Sequence, residues 1–284
     1  MRSTSRRSER STPGFAVPLV LGTPPAADPP PELIPRTGDS FVTDSDIGSD
    51  WKNDLDQWGL AATIEFDATD NLTVKSITSY REMTNLLYLD ADGDVYLPAP
   101  SITGLFHLFQ DQDQYQASQE FQLLGRLGDS FDWQLGLFYL NEDGSQSFAG
   151  DAGAFVGNFA EQIENETDSY AVFAEGTYKF TDALSRTGGL RWTQDEKEYS
   201  DTCLSTPSVL NLLACQPASG ATVDLDDDWD ELTGKLSLNY QLNDDQLVYL
   251  GFSQGYQSGG YRTLCFGNLT AACGGTPFDP QTVD

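Results

Sequence analysis

The chain has 284 residues, with 44 acidic against 15 basic side chains and a formal net charge of −29 at pH 7. That balance argues against nucleic-acid binding, which needs clustered Lys and Arg to replace counterions on phosphates, so no nucleic-acid partner is expected. Aromatic residues reach 12%, unlike a disordered acidic tail, and no stretch approaches the ~18–20 apolar residues of a spanning helix. A membrane β-barrel stays open, because its strands alternate and leave no such run.

Residues 1–40 differ from the rest. Arg2, Arg6, Arg7 and Arg10 make the start basic, and Pro24, Pro25, Pro29, Pro30, Pro31 and Pro35 follow. Such a stretch supplies no core and is expected to be a disordered leader. It imitates a secretory signal through Phe15–Leu21 and Ala26-Ala27, but Pro18 interrupts the apolar part. A loop is expected over 41–55.

From there to residue 262 the pattern has a two-residue period. Trp58, Leu60, Ala62, Ile64 and Phe66 alternate with polar residues, and Leu72, Val74 and Tyr80 continue after a turn. Then come Tyr115, Ala117, Phe121 and Leu123; Phe131, Trp133, Leu135, Leu137 and Tyr139; and Tyr170, Val172, Ala174, Tyr178 and Phe180. Leu184, Leu190 and Trp192, then Leu232, Leu236, Leu238 and Tyr240, then Val248, Leu250 and Phe252 complete eight strands. Short turns at 67–71, 125–130, 181–183 and 241–246 alternate with long connectors at about 90–113, 142–165 and 196–228. An outer-membrane barrel has a reason to put every long loop at one end, with aromatics at the strand ends and polar residues lining the lumen. A soluble antiparallel sandwich is the competing reading of the periodicity. Arg186 cuts against the barrel, since it shares a face with Leu184 and Leu190; near a turn it reaches the headgroups at a cost of about 0–1 kcal/mol.

Several segments closely resemble the barrel strands of TonB-dependent receptors: LTVKSITSYRE (Leu72–Glu82), QASQEFQLLG (Gln116–Gly125), WQLGLFYLNED (Trp133–Asp143), DSYAVFAEGTYKFTDALSRTGGLRWTQDEKEYS (Asp168–Ser200) and LVYLGFSQGYQSGGYR (Leu247–Arg262). PFDPQTVD (Pro277–Asp284) resembles the stretch leading into that family's next strand. The resemblance covers about 55–284. It implies a 22-stranded outer-membrane barrel around an N-terminal plug, importing a scarce ligand with energy passed through TonB. Residues 1–40 resemble neither plug nor TonB box. The expectation is therefore an all-β, up-and-down meander of about eight strands over 56–262. It is read as a mid-barrel piece, open because its strands belong to a wider curve, with 263–284 a loop leading onward. The TonB complex would be reached only through N-terminal parts outside this chain.

The resemblance implies a bacterial outer-membrane location, lipid contact and a small-molecule ligand, with a ferric siderophore favoured by the family. No enzyme activity and no cofactor are expected. A secreted β-sandwich carbohydrate binder is the alternative. A glycoside hydrolase would need two carboxyls ~5–9.5 Å apart in a cleft, and nothing selects such a pair.

Ligand contacts are expected from the loops Asp90–Asp113, Asn141–Asn165, Glu196–Asp228 and Thr263–Asp284. The first carries Asp92, Tyr96, Phe106 and His107, where aromatics could cover a planar ligand. A single histidine leaves no triad or common zinc site without it. Asp90-Ala91-Asp92-Gly93-Asp94 lacks the EF-hand spacing, and the acidic run Asp224–Glu231 reads as a solvated face, so no metal is assigned. By parity Glu120, Glu175, Arg191 and Lys235 face the lumen, where they can pair across strands or contact a plug. Cys203 with Cys215 and Cys265 with Cys273 form two local pairs without a CxxC, open to loop-closing disulfides or to free thiols.

Overall fold

In the computed structural model the described residues are 52–90, 107–151, 158–204, 222–262 and 276–283. Eight strands lead: β1 (Lys52–Thr69), β2 (Leu72–Asp90), β3 (His107–Leu127), β4 (Phe131–Asp151), β5 (Asn158–Lys179), β6 (Leu184–Cys203), β7 (Thr222–Asn243) and β8 (Gln246–Ser253). Each pairs antiparallel with its sequence neighbour in one sheet of order β1 to β8. Among the described residues no ladder joins β1 to β8, so the meander is open, as expected.

Four short strands follow: β9 (Gly255–Gln257), β10 (Gly260–Arg262), β11 (Thr276–Phe278) and β12 (Gln281–Val283). β10 pairs with β11 and β9 with β12. The pairs Gly260↔Phe278 and Gln257↔Gln281 lie in one register, so the four pieces form one interrupted hairpin. Pro280 stands in the interruption, where its missing N–H cannot join a ladder.

The short connections are built from turn chemistry. Asp70-Asn71 and Asp244-Asp245 close two-residue turns beside register shifts at Asp67/Thr69 and Gln241/Asn243. In the turn after β3, Gly128 has φ of 62°, a left-handed value that costs a Cβ-bearing residue. Before β6, the Thr181 hydroxyl accepts hydrogen bonds from the amides of Ala183 and Leu184 at 3.2 and 3.0 Å.

The apolar residues point outward, and they stay exposed: Leu60 is 69% accessible and Leu250 76%. A sandwich would pack these faces against a second sheet. Here they form a band bounded above by one aromatic on each of the first six strands: Trp58, Tyr80, Tyr115, Tyr139, Tyr170 and Trp192. Three successive pairs approach closely, with centroids 5.2 Å apart for Trp58–Tyr80, 6.3 Å for Tyr80–Tyr115 and 5.1 Å for Tyr139–Tyr170. Their polar tips reach upward to acids: the Tyr139 hydroxyl donates to Asp168 at 2.8 Å and the Trp192 indole N–H to Asp230 at 3.2 Å. Such rings suit a membrane interface, apolar below and wet above. Phe66, Phe131, Tyr178, Phe180 and Tyr240 mark the lower edge. The steps from Tyr170 to Phe180 cover about 33 Å of strand. A tilt near 40° reduces this to about 25 Å, the height of an outer-membrane apolar band.

The strands differ in length from the sequence expectation. Stretches read as loops at 107–113, 142–151, 158–165, 196–203 and 222–228 are strand, as is Lys52–Leu55 of the expected 41–55 loop. Thr276–Val283, within the expected terminal loop, carries β11 and β12. The reason lies above the aromatic girdle. There the outer face carries Glu164, Glu166, Glu196, Glu198, Asp224, Asp226 and Asp228 and meets water like the inner face, so the alternation vanishes while the ladder continues. Residues 1–51, including the expected leader, lie outside the described residues.

Candidate functional site on the lumen wall

The register brings the four predicted lumen residues to one place. Gln134, Glu175, Gly189 and Lys235 stand in a row across β4, β5, β6 and β7. Arg191 lies opposite Phe173 on β5, and Glu120 of β3 lies opposite Phe138 of β4. All four charged residues line one cleft of about 570 Å³, with Gln134 and Phe173 also in its wall.

Three of the four are held by polar or charged side chains alone. Lys235 forms an ion pair with Glu175, two strands away. It can do so because Gly189 stands between them: a Cβ there would lie 3.1 Å from the lysine Cε. Glu120 accepts a hydrogen bond from the Gln122 side-chain amide. Arg191 is different. Its Nε donates to the Thr193 hydroxyl at 3.1 Å, and its guanidinium carbon lies 5.3 Å from the Phe138 ring centre and 5.6 Å from that of Phe173. Among the described residues it meets no carboxylate within ion-pair distance. Two aromatic faces fix the planar cation, a contact worth roughly 0.5–2 kcal/mol. Its terminal N–H groups remain available to an anion or a carbonyl.

Other lumen-side charges are structural. Lys75 pairs with Glu65 at 2.7 Å across β1 and β2. At the lower rim Asp132 binds Arg126 at 2.9 Å and Lys179 at 2.8 Å, tying β3, β4 and β5 together beside their turns. Higher up, Lys197 donates to the Gly259 carbonyl at 2.9 Å and lies 6.0 Å from the Trp229 ring centre. Burial pushes its ammonium below the ordinary lysine range. The Tyr261 ring rests 5.4 Å from that of Tyr199, so the terminal hairpin leans on the wall of β6 and β7.

An open antiparallel meander with a lipid-type outer band and a charged inner wall is the geometry of a wide outer-membrane barrel. The family model described as TonB dependent receptor-like, beta-barrel matches residues 3–284. The chain belongs to the TonB-dependent receptor family. This is a family of bacterial outer-membrane receptors and transporters, not of enzymes. Among solved structures, the ferric yersiniabactin uptake receptor FyuA from Yersinia pestis is 20% identical, with TM-score 0.59, over 80% of this chain and 31% of that receptor. The ferric-catecholate import receptor Fiu from E. coli K12, in its open form, is 17% identical, with TM-score 0.57, over 76% of this chain and 37% of that receptor. The chain thus spans about a third of the length of these receptors. No curated protein matches it.

The remaining site expectations for this receptor chain concern the predicted loop residues and the cysteines. Asp92, Tyr96 and Phe106 lie outside the described residues. His107 opens β3, and its backbone stands opposite Asp90 and Asp151. Cys203 ends β6, while Cys215, Cys265 and Cys273 lie outside the described residues. Among the described residues no three His, Cys, Asp or Glu side chains are placed to hold a metal together. Sequence reasoning missed Phe138, Phe173 and Gly189. The parity that selects the charged residues also selects these, but a charge draws the eye and a glycine does not.

Proposed function

We propose that the chain forms eight strands of the wall of an outer-membrane active transporter, and that the cargo of that transporter is a ferric siderophore. The observation that carries the transport reading is the division of the sheet into an apolar outer band and a wet inner face bearing Glu120, Glu175, Arg191 and Lys235 in one cleft. Support for a siderophore comes from the two structural relatives above, which are named for ferric yersiniabactin uptake and ferric-catecholate import. In this reading the TonB complex acts through a segment outside the strands, and the lumen charges pack against a plug, with Arg191 providing the unpaired cation. The ligand is met first by the residues the sequence selects for it, Asp92, Tyr96, Phe106 and His107.

The test is radioactive iron uptake by cells producing a receptor that contains these strands, with catecholate and phenolate siderophores supplied in turn. Uptake that stops when TonB is deleted is the expected result. Uptake of a peptide or sugar instead, with no iron accumulation, overturns the cargo. Retention of the protein in the soluble fraction overturns the membrane wall itself.

A further inference from the structure

Above the aromatic girdle, and therefore outside the membrane-spanning band, β5 and β6 carry two acids on the lumen face, each with one buried side-chain oxygen that lacks a hydrogen-bond partner. Asp201 stands opposite Ile163, and Glu161 is two residues from Ile163 on the same face, so the acids are diagonal neighbours across the ladder. Asp201 is only 7% accessible, and its surroundings are apolar: Ile163 is 0% accessible, Tyr199 2% and Phe148 6%, the last directly opposite Glu161. The Tyr199 hydroxyl donates to one Asp201 oxygen at 3.2 Å. The other, Oδ1, is buried with no hydrogen-bond partner, and so is Oε2 of Glu161. Neither acid has a Lys or Arg ion-pair partner among the described residues. A buried carboxylate beside a half-buried one, each with an orphaned oxygen and neither with a counter-charge, is costly.

We propose that Glu161 and Asp201 together hold one hard divalent cation, Ca²⁺ or Mg²⁺, at the outer end of the lumen wall. Carboxylate oxygens are the ligands such ions take. Two suffice for an ion that keeps part of its water shell. The cation satisfies both orphaned oxygens, cancels the repulsion and joins β5 to β6 where the ladder ends. Burial, and secondarily the Asp201 charge, push the Glu161 carboxyl up to about 7 in the metal-free wall. A proton therefore competes with the ion near neutrality.

The test is calorimetric titration of CaCl₂, and separately of MgCl₂, into the full chain in non-ionic detergent after chelator treatment, at pH 7.5. One saturable site is expected, with Kd on the order of 10⁻⁴–10⁻³ M, the range of extracellular calcium modules. Glu161→Gln, which leaves the Asp201–Tyr199 bond in place, is expected to weaken it at least tenfold. Glu164→Gln/Asp224→Asn removes two acids from the outer face at the same level and is expected to leave it unchanged. Equal affinity in Glu161→Gln and wild type overturns the proposal. So does a wild-type titration with no saturable site. An infrared band of a protonated carboxyl near neutral pH, lost in Glu161→Gln and insensitive to Ca²⁺, would assign the pair to a shared proton instead.

Discussion

Gly189 decides more about the lumen wall than its size suggests. Its missing side chain is the gap through which Lys235 reaches Glu175. In Gly189→Val the lysine stem is expected to turn away, breaking the pair. Both partners are substantially exposed, so the pair itself is worth about 0–1 kcal/mol. The expected readout is loss of the Lys235–Glu175 cross-link by a carbodiimide rather than a large fall in stability. Gly136 is a second such position, opposite Phe173, where an added Cβ would overlap the ring. Gly136→Ala should displace Phe173 from beneath Arg191 and lower the unfolding free energy in micelles by about 1–3 kcal/mol; an unchanged denaturant midpoint would count against that packing. Glu161 gives the pH prediction. Its folded-state pKa of about 7 stands above the 4.5 of the free side chain. The folded chain then binds more protons than the unfolded one between these values. Without divalent ions, stability should fall as pH rises from about 4.5 to about 7 and level off above. Glu161→Gln should flatten that fall, as read from unfolding midpoints across the range.

At the scale of single strands, the two faces carry different physics. Leu135 lies midway between Phe131 and Tyr139 on the outer face, and Gln134 beside it faces the lumen. Leu135→Arg places a charge in the apolar band and should cost about 2–4 kcal/mol. Gln134→Arg should cost far less, because the inner face is wet. Folding yields into lipid vesicles for the two variants check this, and equal yields would contradict the assignment of faces. The same contrast explains which parts of each strand were readable. Within the band, lipid outside and water inside force the alternation of β4 and β5. Above the girdle both faces are polar, as in Glu164–Asn165–Glu166 or Asp226–Asp227–Asp228, and strand resembles loop. Only the ladder reveals that these residues pair.

For the molecule as a whole, the meander leaves β1 paired on one side only, and every residue of β1 is exposed. Central β4 is paired on both sides over its whole length, and β5 on both sides from Glu161 to Tyr178. Hydrogen exchange in micelles should therefore protect β4 and β5 most and β1 and β8 least, with opening that starts at the edges. Uniform protection across β1 to β8 would mean that the edges find partners in solution. The all-β meander, its eight strands and the outward apolar face were legible in the sequence, and so was the parity that sets Glu120, Glu175, Arg191 and Lys235 on the opposite face. The period of two is imposed by a sheet with lipid on one side and water on the other, and residue parity records it directly. Tertiary structure decided what parity cannot: that these four charges meet in one cleft, that Lys235 skips a strand over Gly189, that two phenylalanines hold Arg191, and that Glu161 and Asp201 share a buried corner. Those facts depend on the stagger between strands and on which side chains are absent, and neither is written in the alternation of a single strand.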